Sequence, residues 1–514
     1  MAPPGPGRRL RDTSEKREKN TRFSLLDMSH MSLPTASVPP AVTAAPPPNL
    51  VIGIDFGTHA SGFAFYKRAH AGAGAGAAAS ASGSVSAEVF PRVSTHDRWP
   101  DQPIVDAKTR TALLYKKDRV DAWGWTAWKR WSEMSSSERS AQSYSYMENF
   151  KLLLEDGADA DVDTVCPLPA GVTRVQAVAD YLGEMRKYIR EHLRRSAGVI
   201  LHSDELVWCL TVPAIWSDAA KARMREAAHR AGLIIAVEAG SLVLTLEPEA
   251  AAMTAVNTAN ETTLKDNDVA LVLDCGGGTA DATLHCVRGS GSAVRLEEAA
   301  VGRGVLAGGA HVDSAAWSYI RDLLGARQWD KWKEAHPDEV AQLKSRRGLS
   351  KPSSRQGWVN SDLNLVLPPE VVSKRLMDST VDKITELMHD VINEGARLGS
   401  KCNKSRVRRS LPEGAALVVP SDPGAAVVTG AVLYGAMPMV VSARRSRLGY
   451  GVGTTRPWTS HDAIHAASFG APEKRWHSEK NCYYAFGTYH PFVKHGELIS
   501  VDKVVRHGFT PLYK

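Results

Sequence analysis

From residue 51 onward, short apolar blocks alternate with segments of helical period. Val51–Asp55 is an apolar run that ends in an aspartate, and Gly62–Tyr66 runs back after a turn at Gly57, which predicts a hairpin. Residues 174–197 carry apolar side chains at Val175, Val178, Leu182 and Met185, the spacing of a helix face. Leu206–Val212 reads as a buried strand that stops at Pro213. Ser217 and Asp218 open a helix through His229, and Gly232 ends it. Ala270–Val287 repeats the hairpin pattern. Helices are predicted from Asp313 to Leu324, Val371 to Leu398 and Ala425 to Ala436, and strands at Leu363–Leu367 and Ala416–Val419. The last part of the chain alternates short β-like runs with turns.

The chain has 514 residues, enough for more than one core. It is 43% hydrophobic and 23% charged, the composition of a soluble globular protein. No apolar run approaches the length of a membrane helix. The net charge is +7, and much of it lies before residue 23 and between Lys401 and Arg409. Aromatic side chains do not interleave with those charges, so they read as solvated segments and not as a nucleic-acid face. Residues 1–49 form a Pro- and Ala-rich arm expected to be disordered, and Ala71–Ala87 is a low-complexity loop insertion. The arm lacks the compact apolar stretch of a secretory signal and carries Asp12, Glu15 and Glu18. The six cysteines include no Cys-x-x-Cys pair. Free thiols of that kind suit a reducing compartment, and a cytoplasmic location is expected. Trp123, Trp125, Trp128 and Trp131 are expected to pack within a subdomain, with a ligand platform as the alternative.

The two hairpins share a chemical device. Val51-Ile52-Gly53-Ile54-Asp55-Phe56-Gly57-Thr58-His59 and Leu271-Val272-Leu273-Asp274-Cys275-Gly276-Gly277-Gly278-Thr279-Ala280-Asp281 each run from an apolar strand through aspartate to glycine and a hydroxyl. Glycine leaves backbone N–H groups unshielded, so they can bind phosphate oxygens, and the carboxylate can hold hydrated Mg²⁺. Two such turns suggest two half-domains that grip one nucleotide from both sides. No P-loop pattern occurs in the chain.

Several further stretches occur in an order that resembles the heat-shock 70-kDa chaperones. They are Leu210-Thr211-Val212-Pro213-Ala214, Leu246-Glu247-Pro248-Glu249-Ala250-Ala251-Ala252, the Gly308-Gly309 pair and Gly430-Ala431-Val432-Leu433-Tyr434-Gly435. Leu448-Gly449-Tyr450-Gly451-Val452 and Phe492-Val493-Lys494-His495-Gly496-Glu497 look closest to the divergent member-12 branch. The resemblance implies an α/β chain with the actin-like ATPase fold, in which two RNase-H-like lobes flank a nucleotide cleft. It implies lobes at 50–245 and 246–440, with a short β-rich segment at 441–514. ATP or ADP and Mg²⁺ are the implied cofactors. Asp55 and Asp274 would hold the metal through water. Gly57, Thr58 and His59 would cradle phosphates from one lobe, and Gly276, Gly277, Gly278 and Thr279 from the other. Glu247 and Asp281 would orient the attacking water, and Lys151 would stabilise charge. Gly308 and Gly309 would approach the nucleotide, while Arg346, Arg347, Ser350, Asp422 and Gly424 would lie near the adenosine.

Two stretches depart from the family. Gly399–Gly414 replaces a strand, loop and helix that cover the adenosine, and it carries Lys401, Lys404, Arg406, Arg408 and Arg409 without a Gly-Gly pair. Met437–Arg447 lacks the family's apolar linker, and the stretch after Ala436 is shorter than the family's peptide-binding module, so a standard peptide clamp with a helical lid is not expected. Three functions are expected from these readings. The first is an ATP-binding, chaperone-like protein with slow hydrolysis and a client or signalling partner. The second is a non-catalytic, nucleotide-responsive scaffold, and the third is a small-molecule kinase.

Overall fold

A computed structural model describes residues 48–68, 91–155, 168–199, 206–237, 240–258, 264–289, 294–335, 367–398, 419–464, 471–501 and 503–504. The first sheet is built from β1 (Leu50–Phe56), β2 (Ala60–Lys67), β3 (Ser94–Thr95), β8 (Leu206–Val212) and β9 (Leu242–Leu246), in the order β3-β2-β1-β8-β9. β4 (Thr109–Arg110) joins β2 off that path. β1–β2 is antiparallel, whereas β1–β8 and β8–β9 are parallel. β1 is buried along its whole length, so its two faces serve different neighbours. Ile52, Ile54 and Phe56 join the core of Leu182, Met185 and Ile189 on α3 (Arg174–Ala197). Val51 and Gly53 face the opposite side, and Asp55 ends the strand on their face.

A second, three-stranded sheet in the order β6-β5-β7 carries the tryptophan-rich segment: β5 (Ala112–Lys116), β6 (Arg119–Trp123) and β7 (Tyr144–Glu148). Helices α1 (Gly124–Glu133) and α2 (Ser136–Ala141) lie between β6 and β7. The tryptophans pack: Trp123 meets Tyr181, Trp125 meets Trp128, and Arg110 lies over both Trp125 and Trp128. α4 (Asp218–Arg230) starts on a Ser217 cap whose hydroxyl accepts from the Ala220 N–H, as the sequence predicts. Gly232 follows with a φ of +73°, the conformation that favours glycine there.

The third sheet holds β10 (Val269–Cys275), β11 (Ala280–Arg288), β12 (Arg295–Glu298), β14 (Val441–Arg445) and β18 (Leu498–Ser500), with β13 (Arg303–Val305) beside β11. β10, β11 and β12 form an antiparallel meander, as β1, β2 and β3 do in the first sheet. Two such meanders, each backed by helices, give the actin-like ATPase fold. α5 (Glu247–Thr258) and α9 (Pro423–Ala436) cross between the sheets. Ala250, Val428 and Val432 pack with Val51 and Cys209 of the first sheet, while Met253, Leu433 and Tyr434 pack with Val287, Leu296 and Val441 of the third. Both helices therefore bury a side on each sheet.

α6 (Gly309–Leu324) starts four residues ahead of the expected Asp313, because Gly308 caps it in an extended conformation. α7 (Ala326–Ala335) follows. The expected helix from Val371 enters through Pro369–Val371 and the wider turn Val372–Met377, then continues as α8 (Asp378–Arg397). The predicted strand Leu363–Leu367 lies outside the described residues up to 366, and the predicted strand Ala416–Val419 lies outside them up to 418. Gly399–Gly414 also lies outside them. β15 (Tyr450–Pro457), β16 (Glu473–His477) and β17 (Cys482–Val493) form an antiparallel sheet in the order β15-β17-β16.

Candidate functional site

β1 delivers Asp55 to a buried position at its C-terminal end. Its Oδ1 accepts the Thr211 hydroxyl at 2.9 Å, and its Oδ2 meets Lys108 Nζ at 2.6 Å. Gly62 is the antiparallel partner of Asp55 on β2. A Cβ on Gly62 would stand 2.6 Å from the Ala107 carbonyl oxygen and 3.3 Å from Lys108 Cγ. The missing side chain thus lets the 107–108 segment cross β2 beside Asp55. Gly57 turns so tightly that a Cβ would collide with the Ala60 carbonyl, and its own carbonyl accepts the Thr111 hydroxyl at 2.8 Å.

The second turn is braced by α6. The N–H groups of Gly308, Gly309 and Ala310 donate to the carbonyls of Gly278, Gly276 and Gly277 at 3.2, 3.1 and 2.8 Å. A Cβ on Gly308 would lie 2.6 Å from the Gly277 backbone. The two turns meet. A Cβ on Gly277 would stand 2.7 Å from His59 Nδ1, and one on Gly278 would stand 3.0 Å from Thr58 Oγ1. Glycine is therefore required wherever one loop faces the other.

Asp281 pairs with Asp274 across β10 and β11. Its Oδ1 accepts the N–H groups of Ala214 and Ile215 at 2.9 and 3.3 Å, which ties the third sheet to the loop after β8. Glu247 opens α5, and its Oε1 meets Lys151 Nζ at 2.5 Å. Lys151 is buried, with its ammonium over the Phe56 and Trp216 rings.

This crowding of carboxylates raises their affinity for protons. Burial pushes Glu247 up to about 8; Lys151 opposes that, and Asp274, Asp55 and Asp281 add to it. Burial and then the Asp55 charge push Asp274 up to about 6. Burial raises Asp281 as well, against the Thr279 hydroxyl and the two amides. Burial alone would lower Lys108. Asp55, and then Asp274 and Glu247, override it and hold the ammonium above its ordinary range. Lys108 thus touches the first turn through Asp55, and the charges of Asp274 and Glu247 add to its hold on the proton.

Comparison with known proteins gives the same assignment as the motifs. No protein-family model matches the chain. Heat shock 70 kDa protein 12A of Mus musculus is 23% identical over 573 residues, covering 90% of this chain and 79% of that protein. Heat shock 70 kDa protein 12B of Homo sapiens is 24% identical over 515 residues, covering 79% of this chain and 71% of that protein. The chain is a divergent member-12-like relative of the heat-shock 70-kDa proteins. MreB 5 of Spiroplasma citri, solved bound to AMPPNP, superposes with a TM-score of 0.41 at 15% identity, covering 76% of this chain and 96% of that one. The fold assignment rests on the strand order described above.

In this member-12-like chain, Asp55, Gly57, Thr58, His59, Asp274, Gly276, Gly277, Gly278, Thr279, Asp281, Glu247, Lys151, Gly308 and Gly309 gather around the two facing turns. Asp422 is exposed and caps α9, accepting the Ala425 N–H at 3.1 Å; Gly424 follows in the first turn of that helix. Arg346, Arg347 and Ser350 lie outside the described residues. Sequence reasoning missed Lys108. Asp106-Ala107-Lys108 has no recognisable pattern, and only the glycine at position 62 hints that something must cross β2 there. The side-chain-free turns suit phosphate oxygens, and mutually repelling Asp55 and Asp274 suit a cation. Among the described residues, no group of three His, Cys, Asp or Glu side chains is set to ligate a metal directly. A metal here would be held through water and phosphate oxygens. No helix of the described residues is long and apolar enough to cross a membrane.

Proposed function

We propose that the chain binds ATP and ADP with Mg²⁺ between its two strand-end turns. It hydrolyses ATP slowly, and the cycle of lobe closure serves a client or signalling protein in the cytoplasm. The observation that carries this reading is the position of Lys108, whose charge answers Asp55, Asp274 and Glu247 together. Carboxylates from both sheets, the half-buried Lys108 and the buried Lys151 converge where two bare turns meet. Phosphoryl transfer asks a protein chiefly for that kind of positioning and charge balance.

In this reading Asp55 and Asp274 orient the water shell of Mg²⁺, which neutralises phosphate charge. Gly57, Thr58, His59 and the Gly276–Thr279 turn position the β- and γ-phosphates. Glu247 and Asp281 align the attacking water. Lys108 and Lys151 balance charge on either side. Asp422 and Gly424 approach the adenosine. The lobes at 50–245 and 246–440 move about the α5–α9 pair.

Titration of the full chain with Mg·ATP and Mg·ADP tests binding, and release of ADP tests hydrolysis. Saturable heat that Asp55→Asn and Asp274→Asn both abolish is expected. Absence of heat at high protein concentration removes the reading. A nucleotide-responsive scaffold is the second reading, and one observation favours it. Both Asp55 oxygens are engaged, and Glu247 is held by Lys151 at 2.5 Å. Binding without ADP release selects it.

A further inference from the structure

Thr111 stands between the first sheet and the tryptophan-rich one, and both it and Ser61 are buried. It holds the turn after β1 twice. Its N–H donates to the His59 carbonyl at 2.9 Å, and its hydroxyl donates to the Gly57 carbonyl at 2.8 Å. A carbonyl oxygen only accepts, so that bond takes the one hydroxyl proton of Thr111. The 2.7 Å contact between Ser61 Oγ and Thr111 Oγ1 therefore has Ser61 as its donor. The run has one direction, from Ser61 through Thr111 to Gly57.

The residues before Thr111 are secured as well. Ala60 and Ser61 on β2 pair with Arg110 and Thr109 on β4. The Arg110 carbonyl accepts the Tyr181 hydroxyl at 3.0 Å, and Thr109 Oγ1 accepts the Trp125 N–H at 3.3 Å. Thr111 thus reaches Gly57 from a fixed segment, and β5 starts at the next residue. Peptide geometry carries this hold to the far side of the turn. The Gly57–Thr58 peptide is trans, and in a trans peptide the C=O and N–H point in opposite directions. With the Gly57 oxygen drawn toward Thr111, the Thr58 N–H points away from it. Gly57 imposes little on its own ψ, because it lacks a Cβ. The direction of that N–H therefore leans on Thr111.

We infer that Thr111 is a positioning residue whose hydroxyl aims the Thr58 N–H at a phosphate oxygen of the nucleotide. This role rests on the reading that nucleotide binds between the two turns, and it adds a residue that acts only through the first of them. Thr111→Val keeps the shape of the side chain but has no proton to give. A methyl group then faces the Gly57 oxygen and leaves no room for water to replace the hydroxyl, so the oxygen turns toward another donor. The Thr58 N–H turns with it.

The test titrates the full chain with Mg·ADP and with adenosine, beside crystal structures of the nucleotide-free parent and of Thr111→Val. The Mg·ADP affinity of Thr111→Val should fall about tenfold or more. Its adenosine affinity should stay unchanged, and its Gly57 carbonyl should be turned from the parent direction. Thr111→Ser, which keeps the hydroxyl, should restore the Mg·ADP affinity. Thr254→Val removes another buried hydroxyl, one that donates to the Ala426 carbonyl at 2.6 Å, and should leave the Mg·ADP affinity as in the parent. Should Thr111→Val fail to fold, Thr111→Cys, whose thiol is a weak donor, carries the same readouts. Equal weakening toward Mg·ADP and adenosine marks a merely structural threonine and overturns the inference. Parent affinity for Mg·ADP, or an unmoved Gly57 carbonyl, in Thr111→Val overturns it too. If the parent itself binds no Mg·ADP, the nucleotide reading fails, and the carbonyl direction in the two structures still decides whether Thr111 holds the peptide.

Discussion

Lys108 and Asp55 form a close charge pair in the site, at 2.6 Å, with Asp55 almost fully buried. Removing the lysine alone leaves a buried carboxylate without its counter-charge, a defect worth about 3–5 kcal/mol. Lys108→Met should therefore lower the urea midpoint strongly, whereas Lys108→Met with Asp55→Asn should recover part of the loss. Equal midpoints for the single and double variants would show that the two groups do not couple. Gly308 gives a second prediction at this scale. Its Cβ would press into the Gly277 backbone, so Gly308→Ala must displace the turn or the start of α6. Loss of Mg·ATP binding by at least about tenfold is expected, with α-helical content preserved by circular dichroism. Both turns are legible in the sequence, because glycine, aspartate and a hydroxyl at fixed offsets are a local code. Lys108 is not legible: its partner lies on a strand far back in the chain, and only the pairing of β4 with β2 brings it there.

Among elements, the α5–α9 crossing controls the arrangement. A Cβ on Gly430 would collide with the Ala250 carbonyl, and one on Gly53 would lie 2.8 Å from Val432 and 2.9 Å from the Val428 carbonyl. The helices touch through bare backbone. Gly430→Ala should cost about 3 kcal/mol or more by forcing them apart. Gly453→Ala in β15 meets open space and should shift the unfolding midpoint little, which makes it the control. A small effect of Gly430→Ala would mean that the helices can separate without loss. The sequence predicts α9 with an end that matches Ala436, since small and apolar residues run unbroken there. It does not reveal which side of α9 meets which sheet, because a helix that is apolar all round has no preferred face. β14 also escapes sequence reading: Val441-Ser442-Ala443-Arg444-Arg445 is too short to declare a period.

For the molecule as a whole, two buried histidines set an acid limit. Burial lowers His285 to about 4, and burial followed by His192 lowers His96 to about 4. The unfolded chain binds those protons near 6.5, so it takes them up first as pH falls. The histidine contribution to stability is therefore complete above about 6.5 and declines between 6.5 and 4. For His285, which is wholly enclosed, the decline is about 3 kcal/mol. The raised carboxylates Asp274 and Glu247 act in the opposite sense, losing stability as pH rises from about 4 toward 6 and 8. The difference between the parent and His285→Gln isolates the histidine. Its urea midpoints should diverge with opposite trends at pH 7 and pH 4.5, and a constant difference would refute the assignment. Asp281 adds a consequence of its own. It belongs to one half of the molecule, yet it grasps two peptide groups of the other. If nucleotide binds between the two strand-end turns as proposed, its release requires that grip to open, so its dwell time follows a latch and not the severing of a bond.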